Sequence, residues 1–572
     1  MKRADLSPSL RRHGQLGRRR LLTTGIVGAA ALAVACGGRG RTGESGARPS
    51  TPQGRAVTAE APVYGGTFRY IIRSAPTAFD PYLNTSFSAQ EPWGFISNRI
   101  LKYKAGPEYK PFDLTFEPDV AAAMPEQPEP TRVIVKLRPD IRYHDRPPLN
   151  GRQMVAEDIA YSYERYMAVG QAKPFLAVID SYEVPDQLTI VFKLKRPTAS
   201  LISNFASHTL LWIIPKEVPG PDGKVAPTGP FVGAGPFMFE RYDTDVQTSF
   251  VKNPNYFLKG LPYVDRVERP IINNDATIDA NFRSGKLSFV TVEARDRLTE
   301  LQRSVPGAGK LVYMTSDHSR LELAIEKPPF NDVRVRRALS LAINRDELAA
   351  GLDFMDFDYA SHAFPAGYTP FFLSPRSPDF GENAKWFRHD LREAKQLLSA
   401  AGYPDGFETP YHYTHEYIYA KPTAELLVAQ LQKVGIRLKL QQYTYTDYQN
   451  RFRVGDRDKR RFEGITESRS AVFADPGGYF TTYWSYKGTR NMTDWRDDYF
   501  EDMVDRTEIE FDYQRRIKLF HDIQRYMAGH MPGVPLNTPA YAVLWQPNVR
   551  NFFYKSDYGR ASEQDIIVWL AR

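Results

Sequence analysis

One cysteine, Cys36, is all that the 572 residues contain. A lone thiol makes no internal disulfide, and zinc sites built from several cysteines are excluded by count. After the first forty residues there is no apolar run of eighteen, so nothing in the body reads as a membrane-spanning helix. The Gly-x-Ser-x-Gly elbow, the Gly-x4-Gly-Lys-Ser/Thr phosphate loop and the His-Glu-x-x-His pair are also missing. "GAGPFM" (233–238) lacks the third glycine of a dinucleotide fingerprint and carries a proline. "HYTHEY" (412–417) sets His412 and His415 three apart in an aromatic, strand-like stretch. That spacing does not put two imidazoles on one helix face, and no metal is expected there. The sequence offers no positive sign of catalysis, and neither cofactor nor metal is expected.

Basic charge in excess is missing from most of the chain. The formal net charge is +8, yet residues 1–60 hold eleven Lys/Arg and three Asp/Glu, and the remainder holds sixty-four of each. Nucleic-acid binding needs a concentrated basic face, so a nucleic-acid partner is not expected. "RFRVGDRDKRRF" (451–462) is the exception; its interspersed acids read as a solvated loop.

What is present begins with "RRRLLTTGIVGAAALAVACGGRG" (18–40). A basic entry, a fifteen-residue apolar run from Leu21 to Ala35 and a small-residue exit have the layout of an export signal, too short for a stable span. Arg18–Arg20 followed by Leu21 and Leu22 is similar to a twin-arginine signal; the alternative is an ordinary secretory signal with a very basic start. Ala33-x-Ala35 suits cleavage by an ordinary signal peptidase, whereas Leu32–Cys36 resembles a lipobox. The otherwise unused thiol favours the second: acyl chains on Cys36 would hold the protein at a membrane surface. Residues 1–35 are read as the signal and 36–62, rich in Gly, Ser, Thr, Pro and Arg, as the lipidated cysteine and a flexible tether.

The body alternates strands and helices. Strands are expected at 65–73, at 131–138, with Val133, Val135 and Leu137 on one face, and at 188–194. Helical spacing runs through 155–168, and through 331–348 with Asp332 as N-cap. A third helix, 390–403, opens on Asp390 and Glu393 as a capping-box-like pair. A fourth runs from Pro422 to Gly435, and the alternating strand 436–443 follows it, completing a βαβ unit. Aromatic residues make up 13% of the chain, enough both to build a core and to line a cleft.

Seven segments in order resemble the bacterial extracellular solute-binding proteins of family 5, the dipeptide- and oligopeptide-binding group. They are "YGGTFRYIIRSAPTAFDPYLNTS" (64–86), "RVIVKLRPDIRYHDRPPLNGRQMVAEDIAYSYER" (132–165), "VGAGPFMFERY" (232–242), "NPNYF" (253–257), "PPFNDVRVRRALSLAINRDEL" (328–348), "AKQLLSAAGYPDGF" (394–407) and "LLVAQLQKVGIRLKL" (426–440). The resemblance implies an α/β fold: a two-lobed, type II periplasmic-binding clamp with an extra third domain. Domain I would be 63–105, 229–318 and 531–572, domain II 106–228 and domain III 319–530. It implies a monomeric receptor that closes on a peptide, oligosaccharide or related solute. That receptor would deliver its cargo to the permease and ATPase of an ABC importer. A secreted, anchored hydrolase and a surface sensing or interaction protein on the same clamp are the alternatives.

The resemblance also implies where ligand would lie. Thr85, Ser86 and Phe87 follow the first strand and would face domain III; His415 and Tyr417 precede the 422–435 helix. Phe87 and Tyr417 suit a core as well as a ligand. Two departures stand out. Arg146 in "YHDR" replaces the family's glycine, so a different turn conformation is expected. In the loop "SRSAVFADPGGYF" (468–480), the aspartate that holds a peptide's α-ammonium in the family is replaced by Val472. Asp475 stands directly before Pro476, and a register shift is needed for it to serve instead. Arg469, Tyr479 and Trp484 in or beside this loop suit a carboxylate, a sugar or a planar group, or, for Arg469, a solvated surface.

Overall fold

The structure, a computed structural model, describes residues 60–572 except 74, 76–78, 84–86, 227–228, 316–317, 363, 416, 418, 453–461, 470–472, 474, 489 and 555–562. Cys36, Thr85, Ser86, Val472 and most of the basic run 451–462 therefore lie outside the described residues. So do the signal and nearly all of the tether.

The main sheets gather different parts of the chain. Strand Thr67–Arg69 lies parallel to Arg266–Pro270, which continues antiparallel to Gln247–Lys252 and Phe237–Asp243. Beside these, Asn537–Trp545 runs antiparallel between Phe289–Val292 and Gly309–Met314. A separate antiparallel sheet takes Glu126–Glu129, Arg132–Lys136, Thr189–Leu194 and Ile179–Asp186 in that order. A five-stranded sheet orders Ile436–Tyr443, Phe407–Thr414, Ile465–Arg469, Ser319–Leu323 and Gly533–Pro535. Two strands cross the expected domain boundaries. Gly533–Pro535 joins the five-stranded sheet through Ser319–Leu323, and Phe357–Tyr359 pairs with Asn537–Trp545.

Local chemistry explains several element ends. Phe407–Thr414, helix Ala420–Gln432 and Ile436–Tyr443 form the βαβ unit, with parallel strands in register Phe407↔Ile436. This helix starts at Ala420 rather than at Pro422, because a proline in the first turn loses no intrahelical hydrogen bond. Asp332 and Asp390 cap their helices through their side chains, on the N–H groups of Arg334 and Glu393. The single helix expected over 331–348 is instead two, Val333–Ala342 and Arg345–Gly351. Ile343 is extended, and Asn344 caps the second helix by accepting from the Glu347 N–H. The expected strand 65–73 shortens to Thr67–Arg69 plus a single bridge at Ile72.

Two segments singled out in the sequence clasp each other. His144 of the "YHDR" turn donates from Nε2 to the Gly235 carbonyl (3.1 Å), and its Nδ1 accepts from the Gly233 N–H (3.4 Å). A Cβ on Gly233 would lie 1.9 Å from the Ile96 carbonyl oxygen, so this crossing passes only as glycine. In that turn Asn150 and Gly151 take the left-handed conformation, at φ 47° and 69°, and Arg146 does not. Arg146 Nη1 instead donates to the Phe239 carbonyl at 2.6 Å, tying the turn to strand Phe237–Asp243. The largest apolar core runs from Phe68 and Val133 to Tyr368 and Trp484, so it spans several sheets. A second core packs helices against one face of the five-stranded sheet around Leu321, Leu339, Leu427 and Ile465.

Candidate ligand-binding cleft

Strand Ile465–Arg469 carries Arg469 and leads towards Asp475 and Tyr479, three of the expected ligand residues. Arg469, half-buried at the strand end, sets its guanidinium 5.2 Å from the Tyr417 ring and 5.9 Å from that of Tyr419. Tyr417 packs edge-on to Tyr445 and Tyr448. The structure thus brings Arg469 and Tyr417 together, flanked by rings that localise a cation. His415 is exposed, and its Nδ1 donates to the Tyr443 carbonyl at 3.0 Å. His412 is buried; Nε2 donates to the Glu463 carbonyl (2.9 Å) and Nδ1 accepts from the Tyr443 hydroxyl (3.2 Å). Both histidines meet Tyr443, His412 at its hydroxyl and His415 at its carbonyl, and no group of metal-ligating side chains occurs among the described residues.

Beyond the strand the loop turns inward. The Tyr368 hydroxyl donates to the Phe473 carbonyl (3.1 Å) and accepts from the Phe473 N–H (3.3 Å). Tyr479 is fully buried among Phe473, Tyr368 and Phe364, with ring centroids 4.9, 5.4 and 5.6 Å away. Trp484 lies beneath the Arg320 guanidinium, 5.5 Å from its ring centroid. Arg320 pairs with Glu322 at 2.7 Å, both of them buried. Phe87 begins the helix Phe87–Ile96.

Asp475 is buried, 3% exposed, and its carboxylate is fully engaged. Arg516 donates to both oxygens, at 2.6 and 2.7 Å, the Gly477 N–H donates at 2.8 Å, and Ser203 Oγ donates at 2.9 Å. Burial pushes this carboxyl up, but the Arg516 charge and these donors outweigh it and hold it below the usual aspartate range. Glu508, 4.0 Å from Arg516, is shifted the other way: burial and the neighbouring Asp475 charge raise it. His318 nearby is held well below the usual histidine range by burial and by the charges of Arg320 and Arg469. It helps to line a void of about 20 Å³ with Arg469, Tyr419 and Asn537.

Two earlier parts of the chain pack on the other side of this segment. The Phe175 ring sits 5.8 Å from that of Phe473, and helix Ser200–Asn204 meets Asp475 and Glu508. The site therefore lies where Phe473, Asp475 and the short helical stretches Gly477–Tyr479 and Phe480–Trp484 meet Phe175 and helix Ser200–Asn204.

A sequence model described as bacterial extracellular solute-binding proteins, family 5 Middle, matches residues 115–491. This chain belongs to that family. As a family 5 protein it is the substrate-binding receptor of an ABC importer for a small solute, and it acts outside the cytoplasm. Among its relatives, di/tripeptide-binding protein 2 of Pseudomonas aeruginosa is 24% identical over 520 residues, covering 85% of this chain and 92% of the relative. Heme-binding protein A of Haemophilus influenzae is 24% identical over 549 residues, covering 90% and 95%. The fold is that of the periplasmic binding protein DppA of Helicobacter pylori in complex with peptide STSA. The TM-score is 0.70 at 24% identity, covering 89% of this chain and 99% of that one. No helix among the described residues is long and apolar enough to cross a membrane.

Sequence reasoning missed Arg516, Glu508, Ser200 and Ser203. A signal for Arg516 did exist. Helix Tyr513–His530 buries Ile517, Phe520, Ile523, Gln524 and Met527, and Arg516 shares that inward stripe while Arg515 faces out.

Proposed function

We propose that this protein is a lipid-anchored receptor whose solute lacks a free α-ammonium: an oligosaccharide, or an N-blocked or anionic compound. The observation that carries this reading is the engagement of Asp475. Both of its oxygens accept from Arg516, and Gly477 and Ser203 complete its shell. A buried ammonium with no carboxylate partner costs several kcal/mol, and Val472 stands at the position where the resemblance calls for that partner. Arg469, between Tyr417 and Tyr419, supplies fixed donors for a carboxylate or for sugar hydroxyls. Thr85, Ser86, Phe87 and His415 complete the proposed contacts, with Tyr479 supporting the loop from within the core.

In this reading domains I and II face domain III, closure excludes water from the solute, and the closed form is read by the permease. The solute leaves unaltered, so no catalytic group is required. Cys36 carries the lipid and the segment to residue 62 gives the body reach from the membrane. The relatives named for di- and tripeptides and for heme support a clamp that accepts chemically different cargo.

Calorimetry with unblocked di- to pentapeptides, their N-acetylated forms and a panel of oligosaccharides tests the reading. Heat is expected from N-blocked, anionic or sugar ligands, weakened by Arg469→Gln. Tight binding of unblocked peptides, abolished by N-acetylation and by Asp475→Asn, would restore an ammonium-binding receptor.

A further inference from the structure

Helix Ser200–Asn204 reaches across to two carboxylates more than 270 residues away in sequence. Ser203 Oγ donates to Asp475 Oδ2 at 2.9 Å, and Ser200 Oγ donates to Glu508 Oε2 at 2.9 Å. The Ala199 N–H adds a third bond, to the Glu508 carbonyl at 2.7 Å. Both serines and both acids are buried. Carboxylates accept such bonds more strongly than neutral oxygens do.

At Asp475 the contact can come apart without leaving a buried charge unpaired. The cation that balances Asp475 is Arg516, from its own side of the cleft, and Arg516 Nε also donates to the Thr507 carbonyl at 2.8 Å. Asp475 keeps Arg516 and the Gly477 N–H whether or not Ser203 is near. Ser203 has a second acceptor on its own side, the Ser200 carbonyl, also at 2.9 Å. Its proton can turn to that carbonyl when the carboxylate withdraws.

We propose that Ser200 and Ser203 are positioning residues for solute capture, which hold the clamp shut by donating across the cleft to Glu508 and Asp475. This rests on the reading that residues 106–228 and 319–530 move relative to each other around the solute. The two serines touch acids and not the solute, so they set how readily the clamp closes, and the loop and its rings set what it closes on.

The test uses the full chain carrying Cys36→Ser, with cysteines in place of the exposed Gln187 and Lys433 as nitroxide sites. Distances between the labels are measured by pulsed electron resonance with no solute added, so the outcome is independent of which solute the cleft takes. Ser200→Ala and Ser203→Ala should each lower the closed-to-open ratio about tenfold, equivalent to about 1.4 kcal/mol. The melting temperature should hold, and Ser203→Thr, which keeps a hydroxyl, should restore the ratio. Identical distance distributions in the parent and the double alanine variant, whether all short or all long, would overturn the proposal. So would a loss of melting temperature with no change in the distribution, which marks a merely structural contact.

Discussion

Arg516 and Asp475 form a two-bonded ion pair, 2.6 and 2.7 Å long, that ties the start of the long helix Tyr513–His530 to the loop after strand Ile465–Arg469. Glu508 lies 4.0 Å from the same guanidinium, so one cation serves two acids. The three groups act as a unit, and removing one changes the charge balance of the other two.

Breaking that pair from the arginine side leaves buried acids without their cation, and from the aspartate side leaves Arg516 only Glu508, 4.0 Å away. Arg516→Met and Asp475→Asn should each destabilise the protein by about 3–5 kcal/mol. The double variant should lose less than the sum of the two. Urea unfolding of all four proteins measures the coupling, and strict additivity would show that the pair does not act as a unit.

Acid should weaken the fold before most carboxylates titrate. Burial pushes His144 down to about 4 and His362 down to about 3, against 6.5 for the free side chain. Both are neutral in the fold. Below pH 6.5 the unfolded chain binds protons that the folded chain refuses, so stability falls as pH drops. At pH 5 each histidine should have cost about 2 kcal/mol. Unfolding free energies at pH 7 and pH 5 test this, and His362→Gln should flatten the slope. A profile flat from pH 7 to 5 would contradict the burial of neutral imidazoles.

Glycine is required at 233 by space and at 285 only by conformation. Gly233→Ala puts a Cβ 1.9 Å from a backbone oxygen, whereas a Cβ on Gly285, at φ 73°, meets nothing within 4 Å. Gly285→Ala should cost about 1 kcal/mol. Gly233→Ala should prevent normal folding, read as lost soluble yield or a collapse in melting temperature. Equal melting temperatures for the two variants would contradict the close crossing.

Cys36→Ala should move the protein from the membrane fraction to the soluble fraction when cells are fractionated. A variant that stays with membranes would remove the proposed lipid anchor.

Patterns local in the chain were legible before the fold was known. The βαβ unit, the caps Asp332 and Asp390, and the alternation of Val133 and Val135 follow from spacing alone. The break at Asn344 was not, because apolar spacing continues through Ile343 and the cap that ends it depends on one asparagine side chain. For the site, sequence marked Arg469 and Tyr417, which do come together. It placed Asp475 in the loop but could not show Arg516, 41 positions on, or Ser203, 272 positions back, as its partners. Such contacts are decided by which chain segments the sheets bring face to face, and no spacing rule encodes that.

The strand Asn537–Trp545 lies between Phe289–Val292 and Gly309–Met314, so the middle of that sheet is the last part to be made. Gly533–Pro535 likewise supplies an edge of the five-stranded sheet. During synthesis the two outer strands wait, without the neighbour that joins them, until more than 220 further residues have left the ribosome. Both sheets can therefore be completed only after residues 533–545 have been made. A chain stopped short of residue 537 would expose unpaired strand edges, the surfaces that quality-control proteases and chaperones engage.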